Sequence, residues 1–194
     1  MGEGQVTVDG ETRAMKEPFF VMATQNPVET LGCFPLPEAQ LDRFLMKITM
    51  DSLKHEEERR LIDRFILDEP LAELKPVAGL DEAVLIRKAA RNVRVHADLR
   101  DYLVSLVQAT RSDPTQEIRE GVSPRGTLAL LRASQGYALL MGRSYLVPED
   151  IKAVAVPVMA HRMLSEDVSD TERARRIRSY LHTTPVPTED WSRS

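Results

Sequence analysis

FFVMATQNPVETLGCFPLPEAQLDRF, residues 19–44, is the stretch on which the fold turns. PFFVMATQN is a near-continuous apolar run, the composition of a strand covered on both faces. It stops at Asn26, where Pro27 denies the asparagine a helical conformation and fixes the exit of the chain. After a proline-punctuated loop, Pro37 opens a short helix with Leu41, Phe44 and Leu45 as its apolar stripe. At about 100° per residue, Arg43 projects roughly 150° from the centre of that stripe. Ligands of open α/β sheets bind at the carboxyl ends of strands. A neutral amide there, such as Asn26, hydrogen-bonds a phosphate oxygen or a water without adding negative charge. A turn-forming asparagine is the alternative reading. The guanidinium of Arg43 is always charged and forks onto phosphate oxygens, which suits an arginine finger in phosphoryl transfer. The alternative is a solvated surface arginine paired with Glu38.

Upstream, QVTVDGETRAM alternates around Asp9-Gly10, a dipeptide suited to positive φ and hence to a two-residue hairpin turn. Downstream, MKITM (46–50) reads as a second short buried strand. From about Leu53 the period becomes helical. LKHEEERRLIDRFILD makes one helix, ended by Glu69-Pro70, and LDEAVLIRKAARNV another. In HADLRDYLVSLVQATR, Leu99, Tyr102, Leu103, Leu106, Val107 and Thr110 form one buried face. SPRGTLALLRASQGYALLMG has Ser123 as N-cap, Pro124 at the first helical position and Gly142 as its stop. Its leucines at 128, 130, 131, 139 and 140 point to several sides, which makes it the central helix. VPEDIKAVAVPVMAHRML starts at a proline and is expected to kink or break before Pro157. SDTERARRIRSYLHT closes the set, with Ile177, Tyr180 and Leu181 inward, and the tail after TTPVP reads as disordered. Three strands do not complete an α/β sheet, so the remaining strands are expected ahead of Met1.

The bulk numbers narrow the class. The 194 residues are 42% hydrophobic and 29% charged, as in soluble globular proteins, and aromatics at 5% leave the interior to aliphatic side chains. A net charge of −4 and a pI near 5.7 argue against a protein built to hold nucleic-acid phosphates. The single cysteine, Cys33, excludes an intrachain disulfide and fits a reducing compartment, so a cytoplasmic location is expected. The apolar run AVAVPVMA is too short to span a membrane. His55, His96, His161 and His182 lack ligand spacing with any cysteine, so no metal site is expected. RARRIR (173–178) reads as a solvated helix face.

Arg125 breaks a local rule. In GVSPRG it occupies the second helical position, where the macrodipole disfavours a cation. A bound anion at that helix start would reverse the sign; a guanidinium extended into solvent is the other reading.

VTVDGE, PFFVMATQNPVE, GCFPLPEAQLDRF, DYLVSLVQATR, GVSPRGTLALLRA, GRSYLVPEDI and VMAHRML together resemble the MoxR family of AAA+ ATPases, nearly collinearly from Gln5 to about Pro187. The resemblance implies an α/β fragment of a AAA+ P-loop core (the hairpin and about two core strands) over residues 1–52. An all-α helical lid bundle over 53–187 and a tail over 188–194 would follow. It implies that Asn26 is sensor 1, that Arg43 is the finger acting on a neighbouring subunit's nucleotide, and that Arg125 is sensor 2. The hairpin would be the insert before the sensor 1 strand. Cys33 and Phe34 stand where the family usually has Thr and Tyr. Gly126 stands where Ala is common, a change expected to loosen the helix start slightly. No G-x-x-x-x-G-K-[S/T] occurs, and no strand ending in paired acids precedes Asn26. The implied activity is therefore ATP hydrolysis with Mg2+ in an intact protein, with neither held tightly by this chain and no turnover by it alone. The resemblance further implies a ring, expected to be hexameric, a chaperone-like role in assembling or activating protein complexes, and partners with von Willebrand factor A domains. A non-catalytic helical interaction module and a nucleic-acid remodelling fragment are the alternatives. The acidic pI disfavours the latter.

Overall fold

The computed structural model describes residues 4–25, 36–66, 69–112, 117–165, 168–188 and 190–191. It opens with a two-stranded antiparallel hairpin, β1 (Gln5–Val8) and β2 (Glu11–Ala14), in which Val8 pairs with Glu11. Asp9 (φ 52°) and Gly10 (φ 82°) make the tight turn, so the expected Asp-Gly signal holds. The segments 18–25 and 46–50, expected as buried core strands, form no ladder, and Phe20, Met22, Ile48 and Met50 are exposed. A strand is stabilised by hydrogen bonds to neighbours, and no neighbour is present among the described residues.

Among the described residues seven α-helices follow: α1 (Glu38–Leu41), α2 (His55–Phe65), α3 (Leu80–Arg91), α4 (Ala97–Arg111), α5 (Pro124–Leu140), α6 (Pro148–Met159) and α7 (Asp170–Thr183). A 3-10 turn, Ala160–Arg162, extends α6. The core lies among α4 to α7. Leu99, Leu103, Leu106 and Val107 of α4 meet Leu130 of α5, Ile151 and Val158 of α6, and Ile177 of α7. The six residues expected on the inner face of α4 are the six that are buried.

α5 is central as expected, packing against α3, α4 and α6. Leu128 and Leu140 are exposed, and small residues (Gly126, Ala129, Ala133, Ser134, Ala138) line the buried side together with Leu130 and Gln135. Small side chains let three neighbours approach one helix closely. Gln135 secures one of them: its amide donates to the carbonyls of Val93 (2.8 Å) and Arg91 (3.3 Å) at the end of α3. α6 runs through Pro157 to Met159 rather than breaking before it. A proline there removes only one intrahelical bond, close to the natural end of the helix.

Helices without an N-cap acceptor start with a carboxylate three positions inward. Glu57, Glu82 and Asp150 accept from the N–H of Lys54 (2.7 Å), Gly79 (2.6 Å) and Val147 (2.9 Å), half of a capping box. Asp150 is fully buried and its charge is met by Arg143, which donates to both carboxylate oxygens. α2, like α3, has no buried residue, and Leu61, Ile62 and Phe65 are exposed along one side of it. Trp191, within the stretch expected to be an unstructured tail, is partly buried and meets the His96 ring edge-on at 5.6 Å.

Candidate functional site

Two loops bring the site together. The first is the lead into α5. Its Gly121 lies so close to the end of α4 that a Cβ would stand 2.5 Å from the Thr110 carbonyl oxygen. The Thr110 hydroxyl accepts from the Val122 N–H (3.0 Å), and Arg111 Nε donates to the Val122 carbonyl (2.8 Å). Glu120 and Leu164 form an antiparallel bridge, which sets the residues before α5 beside those after α6. Ser123 caps α5 as expected, accepting from the Gly126 N–H at 3.2 Å. Arg125 therefore sits at the second position of α5, in the place read from GVSPRG.

The second loop carries Arg43. The expected helix is shorter than its apolar pattern: α1 ends at Leu41, and residues 42–45 continue as tight turns. The N–H groups of Arg43 and Phe44 donate three residues back, to Gln40 and Leu41 (3.1 Å each). Arg43 is exposed, and its side chain makes no hydrogen bond or ion pair among the described residues. Asn26 and Cys33 lie outside the described residues.

Between the two loops lies Asp42, a residue the sequence reading passed over. Its Oδ1 accepts from the Ser123 hydroxyl (3.0 Å) and from Arg162 Nε (3.2 Å). Its Oδ2 stands 3.5 Å from Arg125 Nη1. One hydroxyl thus donates to Asp42 and accepts from the first turn of α5, which a serine can do simultaneously. Arg125 is not simply solvated. It leans on a carboxylate, and its own side chain is 58% exposed.

Arg162 was also missed. Its side chain is 1% exposed. Nη2 donates to the carbonyls of Asp42 (3.2 Å) and Phe44, and Nη1 to those of Leu45 (3.2 Å) and Val158. Nη1 also donates to His161 Nε2 at 2.8 Å. Burial pulls the guanidinium pKa below its ordinary value, and the Asp42 charge opposes that pull. The same surroundings keep His161 neutral: burial, then the adjacent Arg162 charge, lower its pKa to about 4. The stem of Arg162 runs over Gly126, where a Cβ would come 2.8 Å from Arg162 Cδ and 2.4 Å from Val122 Cγ1. Gly126 is thus the gap through which Arg162 reaches the Arg43 turn. The usable signal was a His-Arg pair closing an apolar helix, in VMAHRML, facing an aspartate beside the candidate finger.

The turn is held further along. The Lys47 N–H donates to the Pro157 carbonyl (2.8 Å), and Lys47 Nζ pairs with Asp170 at the start of α7. Burial raises the Asp170 pKa, but Lys47 and Arg173 together outweigh it and hold the carboxyl below its ordinary value. Among the described residues no group of three His, Cys, Asp or Glu could hold a metal ion, and no helix is long and apolar enough to cross a membrane.

Chemically, the arrangement offers an exposed Arg43 on a turn whose preceding carboxylate, Asp42, is approached by the half-exposed Arg125 and held by the buried Arg162. Comparison with known proteins gives the family. Residues 1–46 match the family described as ATPase family associated with various cellular activities (AAA), and residues 108–179 match the AAA lid domain. The chain is 41% identical over 192 residues to YeaC, an uncharacterized protein of Bacillus subtilis, covering 97% of this chain and 59% of that protein. It is 40% identical over 200 residues to the chaperone MoxR1 of Mycobacterium tuberculosis, covering 96% and 52%. With protein MoxR of Methylorubrum extorquens it shares 36% over 188 residues, covering 86% and 55%. A crystal structure from Cytophaga hutchinsonii assigned as an ATPase superposes with a TM-score of 0.85 at 32% identity, over 96% of this chain and 60% of that one. The chain thus spans little more than half the length of the curated relatives it matches. With its AAA-type turn and helical lid, it belongs to the MoxR family of AAA+ ATPases.

Proposed function

We propose that this chain is the C-terminal portion of a MoxR-type AAA+ ATPase, with residues 1–52 belonging to the core and 53–187 to the lid. ATP binding and hydrolysis at subunit interfaces of a ring, with six subunits as the expected count, drive chaperone-like assembly or activation of protein complexes. Arg43 is the finger presented to the neighbouring subunit's γ-phosphate. Arg125 is sensor 2, and Asn26 holds the attacking water or the phosphate as sensor 1. Segments with a P-loop and paired acids, absent from this sequence, supply the phosphate cradle and the Mg2+ ligands. The clients are protein complexes, with von Willebrand factor A domain proteins as partners, in the cytoplasm. Neither ATP nor Mg2+ is held tightly by this chain alone.

One observation supports the reading. The Arg125 guanidinium approaches the carboxylate of the residue adjoining Arg43, so the helix start that carries Arg125 and the turn that carries Arg43 are joined although 82 positions apart in sequence. The test uses the intact ATPase. Arg43→Ala abolishes turnover and spares ATP binding. Mixing those subunits with subunits lacking the P-loop lysine restores hydrolysis, because each interface draws its finger from one chain and its phosphate cradle from the other. Undiminished hydrolysis by the Arg43→Ala ring defeats the assignment. A second reading, a helical interaction module without catalysis, draws on the unburied Leu61, Ile62 and Phe65 of α2. An intact gene product that binds no ATP would favour it.

A further inference from the structure

We propose that Arg162 is a positioning residue for Arg43, the buried half of a clamp with Asp42 that makes the finger-bearing turn a rigid part of the lid. This rests on the finger reading of Arg43. The turn is gripped along its backbone, at the carbonyls of Asp42, Phe44 and Leu45, and at the Asp42 carboxylate, all by one guanidinium. That guanidinium is anchored in the lid by the Val158 carbonyl and His161. Nothing in this network touches the exposed Arg43 head group, so the clamp sets where the finger stands without limiting what it binds. Asp42 extends the same unit to Ser123 at the start of α5 and to Arg125.

The functional consequence concerns communication between sites. A lid that shifts when its own subunit gains or loses phosphate carries Arg43 with it, toward or away from the next subunit's nucleotide. The planar fork suits the task, since it binds several carbonyls in one fixed geometry where a lysine would bind fewer.

Two measurements test the clamp, one of them independent of catalysis. In this chain, Arg162→Met raises hydrogen exchange at the amides of Arg43, Phe44 and Lys47 by at least about tenfold, while the buried amides of α4 and α5 stay protected. In the intact ATPase, Arg162→Met lowers kcat by about 10- to 100-fold, the loss expected when a catalytic group is misplaced by about an ångström, and leaves the KM for ATP within about twofold. Should Arg162→Met not fold, Asp42→Asn replaces it. That variant keeps the shape and the carbonyl contacts but removes the charge, and the same local pattern of exchange is expected. Unchanged exchange over 43–47 in a folded variant overturns the proposal, as does normal kcat in a ring that Arg43→Ala inactivates. If Arg43→Ala itself is active, the finger reading fails instead, and the exchange pattern alone still decides whether the clamp exists.

Discussion

Replacing Gly126 with alanine separates two arguments by sign. From helix propensity alone, alanine gains up to about 1 kcal/mol over glycine, and the resembled family commonly carries alanine there. The structure points the other way. The new methyl would stand 2.4 Å from Val122 Cγ1 and 2.8 Å from Arg162 Cδ, well inside van der Waals contact. Neither neighbour yields easily. Val122 is fully buried, and Arg162 is held at its far end by a carboxylate, by carbonyls and by His161. With two such contacts the overpacking cost falls in the upper part of its usual span, roughly 2–3 kcal/mol, so the net effect is a loss of about 1–2 kcal/mol. For a chain of this size that lowers Tm by roughly 2–8 °C. Urea unfolding followed by far-ultraviolet circular dichroism reads it directly, with the midpoint falling and the slope unchanged. An alanine variant as stable as the parent, or more so, would refute the packing argument and with it the claim that Gly126 makes room for Arg162.

The other predictions concern charge. His161 has a pKa of about 4 when folded and near 6.5 when unfolded. Between those values the unfolded chain binds the extra proton, so stability falls as pH drops, by about 2 kcal/mol from pH 7 to pH 5. Carboxylates such as Asp170, with an ordinary value near 3.8, lose their contribution only below that window, so His161→Gln should flatten the pH 5–7 slope in denaturant titrations. Arg143→Ala strands the fully buried Asp150 and should cost roughly 3 kcal/mol, seen as a large drop in urea midpoint. Arg125→Ala removes a half-solvated pair and should change stability by less than about 0.5 kcal/mol, while weakening ATP hydrolysis or its coupling in the intact ring.

What the sequence disclosed followed the reach of its patterns. The inner face of α4 could be read residue by residue because a helix repeats its environment every three to four positions. The hairpin could be read because Asp9-Gly10 satisfies a local backbone demand. α5 was legible as the central helix, but which of its leucines turn inward was not, since Leu130 is buried, Leu128 and Leu140 are exposed, and the close helix contacts are filled by alanine, serine and glycine. The apolar runs at 18–25 and 46–50 described the strands they would form beside partners, and no partner strand stands beside them here. At the candidate site, the place of Arg125 at the second position of α5 was legible from GVSPRG, and the outward position of Arg43 from the apolar residues around it. Asp42 and Arg162 were not, because their relation spans 120 positions and runs largely through main-chain carbonyls, which leave no mark on residue identity.

Asp42 sits at a junction where partners are exchangeable. An anion arriving at Arg125 competes only with a single 3.5 Å contact open to water, and the carboxylate it displaces keeps Ser123 and Arg162. No charge is orphaned by the trade, in either direction. Occupancy at that arginine can therefore turn over many times while the scaffold beneath it stays in register.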